Sequence, residues 1–503
     1  DGALTSVSHN ISGVFIDSLT NIEGIKGSAT VSNTLTGNNM NNTLIGGNQT
    51  DTIKGVSGNN SLSGGAGNDT IFAGTGSDII DGGAGNDWLD YTDLASTNVS
   101  VNLRNNTATY GSSTDSITAI EHLKMGNGTN TVQGNSYANS FIGGTGTDTL
   151  SYSEAASGVT VNVTSAGAGT SSGDGADVFT GFENYILSGN ADTINLNVVH
   201  NGSIIDGGTG IDTASYTNVT TALTVTVNSG NTSAIVNDGT NSNTLKNIEK
   251  IIGGDGNDTF IVSNVAGINT LDGDGGNNTL KLSGNLDLSS VTLLNFQNLE
   301  IANGDILTVN AVDLSGKTMN ITMLGTGSLV IVSDGSNHNF SNISVTKGTG
   351  TVTLDVNINK DISATNINNI IDKFDVASGS TLTLSYSQFN GHTGVGTGTL
   401  KLSDTSLTGT QIKSVNDAST NAIDLTNVTT ISTATMAEML EIVNNTGATF
   451  TTAANYAVTI SDTSSASDVN IVAGDTNGVV TATIVNIACF QSIPSAIKPA
   501  AII

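Results

Sequence analysis

Residues 28–90 read SATVSNTLT GNNMNNTLI GGNQTDTIK GVSGNNSLS GGAGNDTIF AGTGSDIID GGAGNDWLD, seven units of nine residues without an insertion. The eighth position is aliphatic in every unit (Leu35, Leu44, Ile53, Leu62, Ile71, Ile80, Leu89), and the sixth is always Asn or Asp (Asn33, Asn42, Asp51, Asn60, Asp69, Asp78, Asp87). Each unit therefore reads as a glycine-rich turn followed by about three extended residues with one aliphatic side chain pointing inward. A turn reverses the chain once, so two units bring it back over itself. The expected fold is all-β, a parallel β-helix (β-roll) solenoid with 18-residue coils, neighbouring coils lying about 4.8 Å apart.

Stacking the coils sorts the sixth positions into two rows. One carries Asn33, Asp51, Asp69 and Asp87; the other carries Asn42, Asn60 and Asp78. Carboxylates about 4.8 Å apart would repel by roughly 3 kcal/mol at an effective dielectric of about 20, and a shared cation with oxygen ligands removes that cost. The Asp51/Asp69 and Asp69/Asp87 pairs are the foremost candidate metal sites, with Asp78 a further candidate in a row whose asparagines are expected to form amide ladders. Gly65, Gly74 and Gly83 belong to the site as turn residues that permit left-handed backbone and let carbonyls approach an ion. The degenerate units before Gly46 read as plain turns.

The units GGAGNDTIF (64–72) and GGAGNDWLD (82–90) fit G-G-x-G-x-D-x-U-x, and in this the chain resembles the RTX family of calcium-binding repeats. The resemblance implies Ca2+ sandwiched between the glycine turns of successive coils. It also implies one-step type I secretion, the chain being unfolded in the low-calcium cytosol and folding outside.

A longer period overlies the short one. Tyr91, Tyr152 and Tyr216 each follow a nonapeptide and lead into alternating segments (NVSVNL from Asn98, GVTVNV from Gly158, ALTVTV from Ala222), which read as excursions from the coil. Each excursion closes on Ile120-Glu121, Phe182-Glu183 or Ile248-Glu249, with Ile22-Glu23 and Leu299-Glu300 as flanking copies, giving a superrepeat of about 62 residues. Acidic turns recur at Asp148, Asp192, Asp212 and Asp258, as further candidate calcium ligands.

Composition narrows the function classes. The chain has 43 acidic and 14 basic residues, a formal charge of -29 that repels nucleic acid and anionic lipid. Aromatic residues make up 4%, too few for a thick core, and both prolines, Pro494 and Pro499, lie in the last ten residues, leaving the rest free to form continuous ladders. One cysteine, Cys489, excludes an internal disulfide. No apolar run reaches the roughly 18 residues of a membrane span. The chain begins at Asp1 rather than Met, as a mature product or a piece of a longer protein would.

The expected domains are an N-terminal cap (1–27), the repeat region (28–302), a metal-poor β-rich region of solenoid or sandwich-like repeats (303–488) and a tail (489–503). In the third, alternation replaces the nonapeptide, KLSDTS from Lys401 and TISDTS from Thr459 hint at a period of about 58 residues, and Met436 to Val443 reads as a helix. The helix has a Thr435/Glu438 capping box and an apolar face of Met436, Met439, Leu440 and Val443. His9, His122, His200, His338 and His392 are scattered, each reading as a surface or turn residue, and no nucleophile elbow or phosphate loop is present. The reading is a non-enzymatic, extracellular calcium-binding coat subunit at a bacterial surface (S-layer, sheath or filament). Its expected partners are copies of itself in a lattice or filament, with cell-surface polysaccharide a further candidate. The alternatives are the stalk of an adhesin and the non-catalytic RTX part of a larger secreted enzyme.

Overall fold

A computed structural model describes residues 23–228, 234–334, 336, 338–356, 360–361, 370–444 and 449–484. His9, Ile22, Cys489, most of the segment 1–27 and the tail 489–503 lie outside the described residues. Strand outweighs helix by 44% to 9%, and the chain forms a parallel β-solenoid, so the class is all-β. It divides into two compact units, Asp1–Asn278 and Thr279–Ile503.

In the first unit the pairing follows the two-units-per-coil reading. One wall stacks Gly24–Lys26, Thr43–Gly47, Ser61–Ala66 and Ile79–Ala84; the other stacks Thr34–Thr36, Thr52–Lys54, Thr70–Phe72 and Trp88–Asp90, all parallel. The register places Leu44, Leu62 and Ile80 over one another in the first wall and Leu35, Ile53, Ile71 and Leu89 in the second. All but Leu35, at the solenoid's start, are buried. Each fully buried Leu or Ile contributes about 1.5–3 kcal/mol. With two per coil the core is thin, so the ladders and turns carry much of the fold.

The three excursions stay inside the walls. Ser100–Asn102, Thr107–Tyr110 and Ser113–Thr118 form an antiparallel meander whose last strand lies parallel on Ile79–Ala84 and whose first strand supports Thr131–Gln133. The chain thus climbs three rungs of one wall, works back down and resumes coiling. Thr160–Ser165, Ala168–Ser172 and Val178–Thr180 do the same in the opposite wall, and Thr224–Val227, Ala234–Asn237 and Ser242–Lys246 again in the first. The physical reason is pairing: a meander built into the wall leaves no strand edge open, whereas one projecting from it would. The first two meanders are tied by Arg104, the only arginine, which donates to both oxygens of Asp174.

In the second unit the wall strands remain parallel, through Ile306–Asn310, Ser328–Val332, Val352–Val356, Lys373–Val376 and Thr393–Gly396, so this region continues as a solenoid rather than a sandwich. Its last coils each add a helix: Gly409–Asp417, Met436–Val443 and Ala466–Asp475. The Thr435/Glu438 capping box is present, but the buried face is Met436, Met439 and Ile442, with Leu440 and Val443 half-exposed. The KLSDTS and TISDTS echo also gains a cause. Asp404 accepts the amide of Tyr386, which opens the short helix Tyr386–Phe389, and Asp462 that of Met436, each from a later coil, a favourable place for negative charge at a helix start.

One superrepeat boundary is corrected. Leu299-Glu300 lies within the strand Asn298–Ile301, where Glu300 pairs with Lys281. The corner equivalent to Ile120-Glu121 is Phe296-Gln297, which follows Asn295 at φ 55 just as Ile120 follows Ala119 at φ 50.

Candidate metal centre

The sixth-position side chains stand in two rows on the turns, and from Asp51 and Asn60 onward each is bonded to the backbone of the preceding coil. Asp51 Oδ1 accepts the Asn33 amide at 2.5 Å, Asp69 Oδ1 the Asp51 amide at 2.7 Å and Asp87 Oδ1 the Asp69 amide at 2.7 Å. In the opposite row Asn60 Oδ1 accepts the Asn42 amide and Asp78 Oδ1 the Asn60 amide. Each of these side chains reaches the neighbouring backbone, so the asparagines build amide-to-backbone links.

The second carboxylate oxygen is different. Oδ2 of Asp51, Asp69, Asp78, Asp87, Asp148 and Asp212 is buried without a hydrogen-bond partner, on side chains no more than 1% exposed. An orphaned buried anionic oxygen is costly, and six at equivalent turns call for one common counterpart. Burial pushes the carboxyls of Asp69, Asp78, Asp148 and Asp212 up to about 6, with Asp87 and Asp51 adding like charge around Asp69. Asp51 and Asp87 are raised by the same cause.

The turn backbone supplies the other donors. A Cβ on Gly46 would run into both Asp51 Oδ2 and the Gly64 carbonyl oxygen, and one on Gly64 into Asp69 Oδ2 and the Gly82 carbonyl oxygen. Carboxylate and carbonyl oxygens therefore face one space that only glycine leaves open. Gly65, Gly74 and Gly83 have φ of 104, 80 and 100, and a Cβ there would strike the backbone of the preceding coil. No group of three His, Cys, Asp or Glu side chains suited to a metal occurs among the described residues. Oxygen-only donors, part carboxylate and part carbonyl, suit a hard cation such as calcium rather than zinc.

Asp192 and Asp258 behave otherwise. Asp192 Oδ1 accepts from the Val159 amide and the Ser188 hydroxyl, and its Oδ2 from the Ser188 amide and hydroxyl; Asp258 accepts from the Leu223 and Gly254 amides, one on each oxygen. Their carboxylates close turns.

Two sets of residues escaped the sequence reading. Asp115 and Asp177 continue the rows into the meanders and are held by buried tyrosines: Tyr91 Oη donates to Asp115 at 3.0 Å and Tyr152 Oη to Asp177 at 2.9 Å, while Tyr216 donates to Asn243. The second set is Glu121, Glu183 and Glu249, whose Oε2 atoms accept the amides of Asp87, Asp148 and Asp212. A signal for both was present, because Asp115, Asp177 and Asn243 each precede one of these glutamates by six residues. Two histidines differ from the surface or turn reading: His338 is buried, stacked on Phe340 and bonded to Asp334, and His392 packs edge-on against Phe374.

Comparison with known families agrees with this geometry. The family described as "RTX calcium-binding nonapeptide repeat (4 copies)" matches residues 31–62, 54–89, 126–154, 248–264 and 265–285. No curated relative matches the chain. The chain is thus a parallel β-solenoid carrying RTX calcium-binding nonapeptide repeats, and its cofactor is Ca2+.

Proposed function

We propose that this protein is a non-enzymatic, extracellular structural subunit of a bacterial surface coat whose folding and assembly depend on calcium. The observation that carries the reading is the set of six buried, partnerless Oδ2 atoms aligned on the turns. Asp51, Asp69, Asp78, Asp87, Asp148 and Asp212 are the proposed ligands, with glycine carbonyls such as those of Gly64 and Gly82 completing the shell. Asp192 and Asp258 are assigned to turn closure. Calcium, when bound, supplies the positive charge that these buried carboxylates lack. Protein bonds alone leave the rows as stacked like charges, which favours an extended chain inside the cell and a folded one in a calcium-rich exterior, in keeping with type I export.

Lateral packing of copies is supported by the walls themselves. Ile79, Val178 and Ile235 are exposed on wall strands at the first, second and third meanders, on a surface otherwise rich in small polar residues. Cell-surface polysaccharide remains the alternative partner, and an adhesin stalk the alternative architecture.

Two measurements test the reading. Circular dichroism and limited proteolysis with and without EDTA are expected to show loss of β-structure and of protease resistance across residues 28–281; no change on complete calcium removal refutes the calcium dependence. Electron microscopy of the calcium-loaded protein is expected to show a lattice or helical polymer, whereas isolated rods refute the coat in favour of the stalk.

A further inference from the structure

In each superrepeat one run of sixth-position aspartates gives way to a glutamate in a corner of a different make. Glu121 stands in register with Asp87 one rung on, since His122 pairs with Trp88; Glu183 matches Asp148 and Glu249 matches Asp212 in the same way. These corners are short. Six residues rather than nine separate the inward side chains (Ile117 to Leu123, Phe179 to Tyr185, Leu245 to Ile251), so the glycine-rich loop is missing.

The corner nevertheless rebuilds what the loop provides. Ala119, Gly181 and Asn247 lie at φ 50, 76 and 50, and their carbonyl oxygens press on Gly82, Gly143 and Gly207. That is the position the Gly64 and Gly82 carbonyls take beside Asp51 and Asp69 in ordinary coils. A Cβ on Gly82 would meet Asp87 Oδ2 at 2.8 Å as well as the Ala119 carbonyl, and one on Gly207 would meet Asp212 Oδ2 at 2.8 Å as well as the Asn247 carbonyl. Asp87, Asp148 and Asp212 are fully buried with Oδ2 unpartnered. The following coil offers no aspartate at the equivalent position, and the glutamate stands there instead, its Oε2 accepting the aspartate's amide.

We propose that these three corners are divalent cation sites of a second kind, in which Glu121, Glu183 and Glu249 act as ligands. The first pairs Asp87 and Glu121 with the Ala119 carbonyl, the second Asp148 and Glu183 with that of Gly181, and the third Asp212 and Glu249 with that of Asn247. Each superrepeat then carries one boundary ion at the point where the meander hands the chain back to the coil. The proposal rests on the reading that the aspartate rows hold calcium.

The test is calcium stoichiometry by equilibrium dialysis on the full chain, wild type against Glu121→Gln/Glu183→Gln/Glu249→Gln. Glutamine keeps an oxygen to accept the aspartate amide, and Gln297 already occupies the same corner after Asn295 and Phe296, so the fold tolerates it. The triple variant is expected to bind three ions fewer per chain. An unchanged count overturns the boundary sites while leaving the aspartate rows standing, whereas a wild type that binds no calcium overturns both. Should the triple variant not fold, Glu121→Gln alone, titrated with terbium and read through emission sensitised by Trp88, is to lose one ion. Trp88 is the only tryptophan, adjoins Asp87 and packs at a tilt against His122, the neighbour of Glu121, with ring centroids 4.9 Å apart, so an unchanged terbium end point overturns the proposal.

Discussion

Substituting Asp69 by Asn is predicted to change stability in opposite directions with and without calcium. Asn keeps an Oδ1 to accept the Asp51 amide, as Asn60 does for Asn42, and so removes only the charge at Oδ2. In the calcium-free protein the Asp69 carboxyl is raised from 3.8 to about 6, chiefly by burial. Because the folded value lies above the unfolded one, the neutral group's contribution is fully present below about pH 4 and is lost as pH rises through about 6. At pH 7 that corresponds to roughly 3 kcal/mol at most, since solvent screening reduces it. Without calcium, Asp69→Asn should therefore be more stable than wild type by up to that amount. With calcium at about 100 times its dissociation constant each site adds about 2.7 kcal/mol, and Asp69 sits mid-row between Asp51 and Asp87, so one or two sites are lost. The loss of about 2.7 to 5.4 kcal/mol is offset by the up to about 3 kcal/mol gained from the missing charge, so Asp69→Asn should be less stable by about 2 to 5 kcal/mol where both sites are lost. The assay is denaturant unfolding followed by Trp88 fluorescence, a local probe one coil on from Asp69, in calcium and in EDTA. A shift of the same sign in both media would refute the argument that Asp69 is a buried charge awaiting a cation.

Calcium affinity is expected to fall as pH drops through about 6, with protons released on binding in that range, because protons compete for Asp69, Asp78, Asp148 and Asp212; titration calorimetry in buffers of different ionisation enthalpy checks this. Gly83→Ala should cost about 1 to 3 kcal/mol from its φ of 100 alone, and more from collision with the Gly65 carbonyl, measured by unfolding in saturating calcium; a loss below that range would show that the turn can relax. Asp462→Ala should cost about 0.5–2 kcal/mol by freeing the Met436 amide, by the same amount in calcium and EDTA, as hydrogen exchange over Met436–Val443 would report.

Much of the fold was legible in the chain because the nonapeptide is a local pattern repeated. One aliphatic residue in nine marks each strand, a fixed sixth position marks each turn, and two reversals per coil predict which side chains stack. The Asp51, Asp69, Asp87 row and the solitary Asp78 follow from counting alone, and so does the need for glycine at positions 65, 74 and 83. The Thr435/Glu438 box announced its helix because capping is also local.

What only the tertiary structure decided depends on pairing between distant segments. Alternating sequence from Asn98, Gly158 and Ala222 states that strands form, but not whether they leave the coil; the need to leave no ladder edge open puts them in the walls. A single orphaned oxygen on each aspartate separates Asp148 and Asp212 from Asp192 and Asp258, whose turns look alike in sequence but whose Oδ2 atoms are taken by the Ser188 and Gly254 amides of their own turns. The glutamates at 121, 183 and 249 were visible as punctuation, and their place one rung on from Asp87, Asp148 and Asp212 was not. The pairing of adjacent rungs brings Glu121 to the Asp87 amide, and a backbone at φ 50 aims the Ala119 carbonyl; neither is written in any nine residues, because both arise from where the meander returns the chain.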